Sequence, residues 1–276
     1  VGGTTAKMCL IEQGQPHLKH DFEAGRLRKF KQGSGLPLKV TVIDMIEIGS
    51  GGGSIAAVDG VGLMKVGPRS ASSVPGPVCY NRGGTEPTVT DADLLLGCLD
   101  PAFFLGGEMT LSIDKVRSAV GEKLAGPLGI GREEAARGIR SIVDESMAAA
   151  TRMHLAEKGK DPRAYTLFAF GGAGPVHAYA LAKLLKMRRI IVPMGAGVIS
   201  ALGFLVAAPA VDEAPKPQVN VRARPEERPV ELTVVTPVPT ATPTPEAPAG
   251  PVRLDDPVLR WLPEILLAAE EAGTPA

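Results

Sequence analysis

YTLFAFGGAGPVHAYALAKLLK, residues Tyr165 to Lys186, sets an apolar run, a turn of glycine and alanine, and a long apolar segment in succession. The run is short and apolar throughout, as a strand buried on both faces is. Pro175 falls in the first turn of the following helix, where its missing amide hydrogen would have had no partner. RRIIVPMGAGVISALGFLVA (188–207) then adds a short strand and an apolar helical run. This order of strand, glycine loop, helix and strand implies an α/β fold with a loop at a strand end, where such folds bind ligands.

The loop is not a dinucleotide fingerprint. Gly171, Gly172 and Gly174 lead into Pro175 and Val176, so the GxGxxG spacing is absent, and no acidic residue stands about twenty positions on to hold a ribose. GxxxxGK[ST] is missing from the chain, which excludes a P-loop.

Two further glycine loops accompany it. VGGTTAK (1–7) joins two glycines to two hydroxyl side chains, the composition of a loop that wraps a phosphate. KVTVIDMIEIGSGGGSIAAVD (39–59) gives a β-branched strand, a tight loop of glycine and serine, and a second apolar strand. A lone glycine turn is most simply a place for positive φ. Three of them, two set directly after apolar runs, favour a nucleotide site.

Between the loops, KMCLIEQGQPHLKHDFE (7–23) alternates about the turn-like EQGQP and reads as a hairpin. VGPRSASSVPGPVCYNRGGTEPTVTDADLLLG (66–97) is too rich in glycine and proline for regular structure until a helix begins, capped by Thr90 or Asp91. LSIDKVRSAVGEKLAGPLG (111–129) has a helical period ended by glycine and proline. REEAARGIRSIVDESMAAATRMHLAEKG (132–159) is the clearest helix, with Ala136, Ile139, Ile142, Val143, Met147, Ala150 and Met153 along one stripe.

Of 276 residues 44% are apolar, enough to bury a sizeable core, and 30 basic residues balance 30 acidic ones. That balance argues against a nucleic-acid partner or an anionic membrane surface. Cys9, Cys79 and Cys98 are scattered, with neither disulfide-framework nor zinc spacing. No membrane span or leader is visible, and the chain reads as cytoplasmic. Its first residue is Val1, however, so a leader could have preceded it.

GGTTAK, DMIEIGSGGGSIA, VGPRSASSVPGPVCYNRGGTEPTVTDADLLLG, FFLGGEM, AFGGAGPVHA and VPMGAGVISALGFL together carry a resemblance. Over about residues 1–211 the chain resembles the hydantoinase/oxoprolinase family, in its hydantoinase A type subunit. The resemblance implies half of an actin-like ATPase and sugar kinase fold, ribonuclease H-like, with ATP and Mg2+ held in a cleft between two halves. It implies phosphorylation of a carbonyl oxygen, after which water opens a cyclic amide of 5-oxoproline or hydantoin type. In carboxylase relatives a carbon nucleophile forms instead. A hydantoinase B type subunit is the implied partner in a hetero-oligomer.

On this reading the loop of Gly2, Gly3, Thr4 and Thr5 is the second phosphate loop, its amides and hydroxyls donating to phosphate oxygens; an ordinary hairpin turn is the alternative. Lys7 either adds a point charge or faces solvent. Gly171, Gly172, Ala173 and Gly174 match the adenosine loop, and His177 offers a neutral imidazole to the ligand or packs its helix. Gly51, Gly52, Gly53 and Ser54 would form a wall of backbone donors.

Asp44, at a strand end before that wall, would hold magnesium, orient water or cap the loop. Asp91 has a catalytic or a capping role. Arg82 suits a bidentate phosphate or carboxylate contact, or a surface ion pair. Cys79 is expected to be structural. His17, His20 and His154 have no ligand spacing, so any magnesium would arrive with ATP. The family pattern has glycine where Ser72 and Asn81 stand, positions that would cost about 1 kcal/mol if φ is positive.

The motif at Val1 starts mid-way and the family's first phosphate loop is not present, so the chain is expected to be a fragment truncated at its N-terminus and inactive alone. The segment 212–252, with most of the 12 prolines found between Pro209 and Pro257, reads as an extended linker. The segment 253–276 reads as a short amphipathic helix with a stripe through Leu259, Leu262, Ile265, Leu266 and Ala269. It faintly resembles the opening helix of a lytic transglycosylase domain. A truncated or chimeric product without activity is therefore the remaining alternative to an amidohydrolase or a carboxylase.

Overall fold

The computed structural model describes residues 1–20, 22–24 and 35–207. The boundary expected at Val211, the linker over 212–252 and the helix over 253–276 lie outside the described residues. After the first glycine turn the chain runs out through β1 (Ala6–Cys9), β2 (Ile11–Glu12), β3 (Gln15–Pro16), β4 (Leu18–Lys19) and β5 (Phe22–Ala24). It returns through β6 (Leu36–Leu38), β7 (Val42–Ile43) and β8 (Met45–Ile48).

The hairpin expected over 7–23 is confined to β2 and β3. Gln13 and Gly14 take φ of 52° and 73°, positive at both turn positions as a two-residue hairpin requires. Beyond it β1 pairs antiparallel with β8, β4 with β7 and β5 with β6. The register explains the choice: Ala6 stands opposite Ile48 and Met8 opposite Ile46, which gives β1 and β8 one shared apolar face.

A buried glycine and serine loop leads into β9 (Ser54–Val58), which forms an antiparallel hairpin with β10 (Met64–Ser70). The Asp59 carboxylate closes its turn, accepting from the amides of Val61 and Leu63 at 3.0 and 2.9 Å. α1 (Val89–Leu95) follows the irregular stretch. Its cap is Thr88, not Thr90 or Asp91: the Thr88 hydroxyl accepts from the Asp91 amide, and the Asp91 carboxylate accepts from the Thr88 amide.

α2 (Ile113–Val120) passes through a π-helical turn at Gly121–Ala125 into α3 (Gly126–Leu128), which stops at Gly129 with φ 66°. α4 (Arg132–Ala156) is the longest helix among the described residues. β11 (Leu167–Phe168), α5 (Gly174–Leu185) and β12 (Ile190–Ile191) make a parallel strand, helix, strand unit, and α6 (Ile199–Val206) ends the described chain. The described residues belong to one compact unit with mixed α/β structure. None of its helices is long and apolar enough to cross a membrane.

The core lies where α4 meets α1, α2 and the strands. Ala136, Ile139, Val143, Met147 and Ala150 of the expected stripe are buried, while Ile142 and Met153 are half-buried at its margins. Val89 and Ala92 of α1, Val116 and Val120 of α2, Leu124, Ala6 and Ala56 fill the other side. The β9, β10 and α1 elements thereby fix the second glycine loop against a rigid base.

Ser72 and Asn81, the two positions where the family pattern has glycine, both take φ of 56°. Ser72→Gly relieves that left-handed conformation and is expected to raise stability by up to about 1 kcal/mol. The measurement is the urea midpoint at unchanged slope; an unchanged or lower midpoint counts against strain at this position.

Candidate functional site

The three glycine loops meet, joined by their own backbones. The Val1 carbonyl accepts from the Ala173 amide at 3.1 Å, and the Val1 nitrogen donates to the Phe170 carbonyl at 2.9 Å. The Gly2 and Gly3 carbonyls accept from the amides of Gly52 and Gly53 at 3.0 and 2.6 Å. Gly52 in turn offers its carbonyl to both the amide and the hydroxyl of Thr90, at 2.7 and 2.8 Å. The loop at 1–5 is thus laced to the other two, and the second is pinned to the start of α1.

Approach this close admits no side chain. A Cβ on Gly51 would stand 2.6 Å from the Gly2 carbonyl oxygen and 2.8 Å from the Thr4 nitrogen. Gly171 has φ 91°, and a Cβ there would run into the Val1 backbone. These two glycines are therefore requirements of the junction.

The wall of donors expected at Gly51, Gly52, Gly53 and Ser54 is not available to a ligand, because each of its amides already has an acceptor. Gly51 donates to the Ser54 hydroxyl and Ser54 to the Gly51 carbonyl, while Gly52 and Gly53 hold the first loop. All four residues are buried, so this loop is the floor of the junction. The Gly2 amide is likewise used, on the Thr5 carbonyl.

What stays open is the rim. Gly3, Thr4 and Gly172 are exposed, and their amides donate to no acceptor among the described residues. The Thr4 hydroxyl lies 3.5 Å from that of Ser70, and Thr5 is half-buried beside it. Gly174 is buried and bonded to Gly171. Ser70, Ala71 and Thr90 support the junction; the first two were not singled out from sequence and Thr90 only as a helix cap, and Ala71 donates to the Gly53 carbonyl at 2.8 Å.

Asp91 is placed as a structural cap. It is fully buried, and its oxygens accept from the amides of Val78, Cys79 and Thr88 and from the Thr88 hydroxyl at 2.7–3.1 Å. With its acceptors occupied it has none to offer a substrate. Burial, then the Asp91 charge, pushes the Cys79 thiol far above its ordinary range, which suits an inert core thiol.

Asp44 is not brought to the junction. It precedes β8, whose far end leads into the floor loop, so four strand residues at about 3.3 Å each separate it from that loop. Its carboxylate pairs with Lys158 at 2.6 Å. Burial draws the group upward, but the Lys158 ammonium outweighs this and holds it below its usual value. Beside it Glu12 accepts from Lys160 and Tyr165, both at 2.7 Å, and these donors lower its carboxyl to about 2. The pairs fasten both the outgoing and the returning strands to the segment after α4. Arg82 is exposed and pairs with no acidic side chain among the described residues.

His177 does not face the rim. It is 1% exposed, with Nδ1 hydrogen-bonded to Asp144 Oδ1 at 2.7 Å and Nε2 3.4 Å from Asp93 Oδ2, an ion-pair contact without hydrogen-bond geometry. Burial alone favours the neutral ring, but the two carboxylates overcome it and raise the pKa to about 9. The two carboxylates thus favour the imidazolium over the neutral donor expected from its place near a helix start. Asp93, Asp144 and Arg140 were missed in the sequence. Their signal was present: Arg140 and Asp144 are charged residues four apart beside the apolar stripe of α4. Among the described residues no group of three His, Cys, Asp or Glu side chains is placed to hold a metal.

The hydantoinase/oxoprolinase family profile matches residues 1–213, and the chain belongs to that family. Among curated relatives, the acetophenone carboxylase gamma subunit of Aromatoleum aromaticum is 54% identical over 145 residues, covering 52% of this chain and 20% of that protein. The solved ATP-dependent caprolactamase of Pseudomonas jessenii superposes with a TM-score of 0.63 at 37% identity, over 74% of this chain and 28% of its own. Nucleotide-free acetone carboxylase gives 0.66 at 33% identity, again over 74% and 28%. The chain spans under a third of the length of these relatives.

Asp91→Asn would turn an NH2 donor toward buried N–H and O–H donors that the carboxylate oxygens now accept, and is expected to destabilise the fold by about 3 kcal/mol. Thermal unfolding measures it; a loss below about 0.5 kcal/mol, the range of ordinary surface changes, would contradict the capping role.

Proposed function

We propose that the junction of the three loops is the phosphate-holding part of an ATP site in an enzyme that activates a cyclic amide for ring opening. The observation that carries this reading is the open rim: the Gly3, Thr4 and Gly172 amides and the Thr4 hydroxyl stand on a floor whose own donors are consumed. Fixed donors of this kind favour negative charge, and they favour it most where charge develops during transfer.

The rim fits an anion, because it offers amides and hydroxyls, whereas Asp91 lies buried and Asp44 stands at the far end of β8. Magnesium is accordingly assigned to arrive with the nucleotide. ATP supplies the phosphoryl group that makes a carbonyl oxygen a leaving group. The residues of this chain bind and orient it: Thr4 and Gly3 from one loop, Gly172 from the other.

The fold assigned is one half of an actin-like ATPase and sugar kinase architecture. Because the chain spans under a third of its relatives, the activity belongs to the complete enzyme, acting in the cytoplasm with a hydantoinase B type subunit. That the acetophenone carboxylase relative is a gamma subunit and a caprolactamase relative from Pseudomonas jessenii is a subunit alpha supports a hetero-oligomer. The substrate class is a 5-oxoproline or hydantoin type lactam. A ketone carboxylation is the second reading, favoured by the 54% identity to an acetophenone carboxylase subunit.

The test is ATP turnover by the complete enzyme with 5-oxoproline or a hydantoin, and separately with bicarbonate and a ketone. Lactam-dependent turnover without bicarbonate supports the amidohydrolase, and turnover only with bicarbonate and ketone replaces it with the carboxylase. Thr4→Ala is expected to lower kcat by roughly two orders of magnitude. Unchanged kcat would remove Thr4 from the site.

A further inference from the structure

We infer that His177 is a positioning residue, whose simultaneous pairing with Asp93 and Asp144 sets the spacing between the glycine loop before α5 and the glycine loop beneath α1. This rests on the reading of those loops as the phosphate-holding part of the site.

The levers on either side are short. Thr90, in the first turn of α1, holds the Gly52 carbonyl, and Asp93 follows it by three residues on the same helix. Ala173 donates to the Val1 carbonyl, and His177 lies in the first turn of the helix that Ala173 precedes. The His177–Asp93 pair therefore bridges the two helix starts that carry the floor loop and the Gly172 rim. Both residues are almost wholly buried, and a close-packed interior of low compressibility transmits such a displacement.

α4 supplies the base of the bridge. Asp144 faces the ring from below, and Arg140 approaches Asp93 at 3.5 Å and Asp144 at 3.7 Å. The same guanidinium donates to the Val176 carbonyl, in the first turn of α5, and lies 2.6 Å from the Cys98 sulfur beyond α1. The charged and titratable groups facing His177 are thus Asp93 from α1 and Asp144 and Arg140 from α4, with the Cys98 thiol behind Arg140.

These charges balance only when the ring carries its second proton. Two carboxylates then face one guanidinium and one imidazolium. Loss of that proton leaves an unmatched negative charge in the interior, and the 3.4 Å contact to Asp93 is the member that loses its attraction. The ring titrates near 9, above its ordinary 6.5. The bridge's contribution is therefore complete below about pH 6.5 and disappears as pH rises through about 9.

The experiment is amide hydrogen exchange on the full chain, expressed as protection relative to intrinsic rates, in a Cys98→Ser background. His177→Gln is expected to cut protection of the Ala173 and Gly52 amides by about a hundredfold, the low end of what breaking a buried pair costs. Protection in α2 should stay unchanged. His177→Gln with Asp93→Asn, which restores the charge balance, should recover most of the loss. With His177 intact, the same two amides should lose protection above about pH 9.

Uniform loss across α2 and the loops, no loss at the loops, or no recovery in the double variant would overturn the inference. Should His177→Gln fail to fold, Asp93→Asn alone must still loosen Gly52 more than α2. Addition of ATP with magnesium tests the phosphate reading separately. If it leaves Gly3 and Gly172 unprotected while the His177 results hold, the site assignment fails and the bridge stands.

Discussion

Everything at the site depends on a set of backbone hydrogen bonds between three glycine-rich loops. The carbonyls of Val1, Gly2 and Gly3 accept from the amides of Ala173, Gly52 and Gly53 in the other two loops. An unpaired buried amide costs as much as a lost hydrogen bond, so the floor loop cannot drift from the first loop without orphaning its own donors. The consequence is a division of labour. The floor uses its amides for cohesion, and the amides at the rim of Gly3, Thr4 and Gly172 have no acceptor among the described residues.

Around this junction the fold supplies rigidity in two buried polar devices. Asp91 binds the start of α1 to the turn at Val78 and Cys79, with four donors on two oxygens. His177, Asp93, Asp144 and Arg140 join α1, α4 and α5 deeper in the core. Buried ion pairs add little net stability over apolar packing, but removing one partner is costly. Such a cluster is better suited to fixing relative positions than to raising the melting temperature, and it lies directly behind two of the three loops.

The sequence made the fold class legible through period and punctuation. The stripe from Ala136 to Met147 foretold α4, and the strand, loop and helix order at 165–186 foretold the parallel unit. Ser72 and Asn81 were marked as strained, and both take positive φ. The hairpin over 7–23 was overread because alternation along one segment does not say which strand pairs with it; β8 lies more than thirty residues away. The sites were harder for the same reason. GSGGGS and GGTT look alike as donors, and only the tertiary register tells which amides are already taken. Asp44 and Asp91 share the chemistry of catalytic carboxylates, yet Lys158 occupies one and a helix start the other.

The most direct measurement is an amide-resolved NMR titration of the protein with ATP and magnesium. The Gly3, Thr4 and Gly172 resonances are expected to shift together along one binding curve, while those of Gly51, Gly52, Gly53 and Ser54 stay in place. Shifts centred on Gly51 to Ser54, or on Asp44 and Lys158 at the other end of β8 with the rim unmoved, would contradict the account.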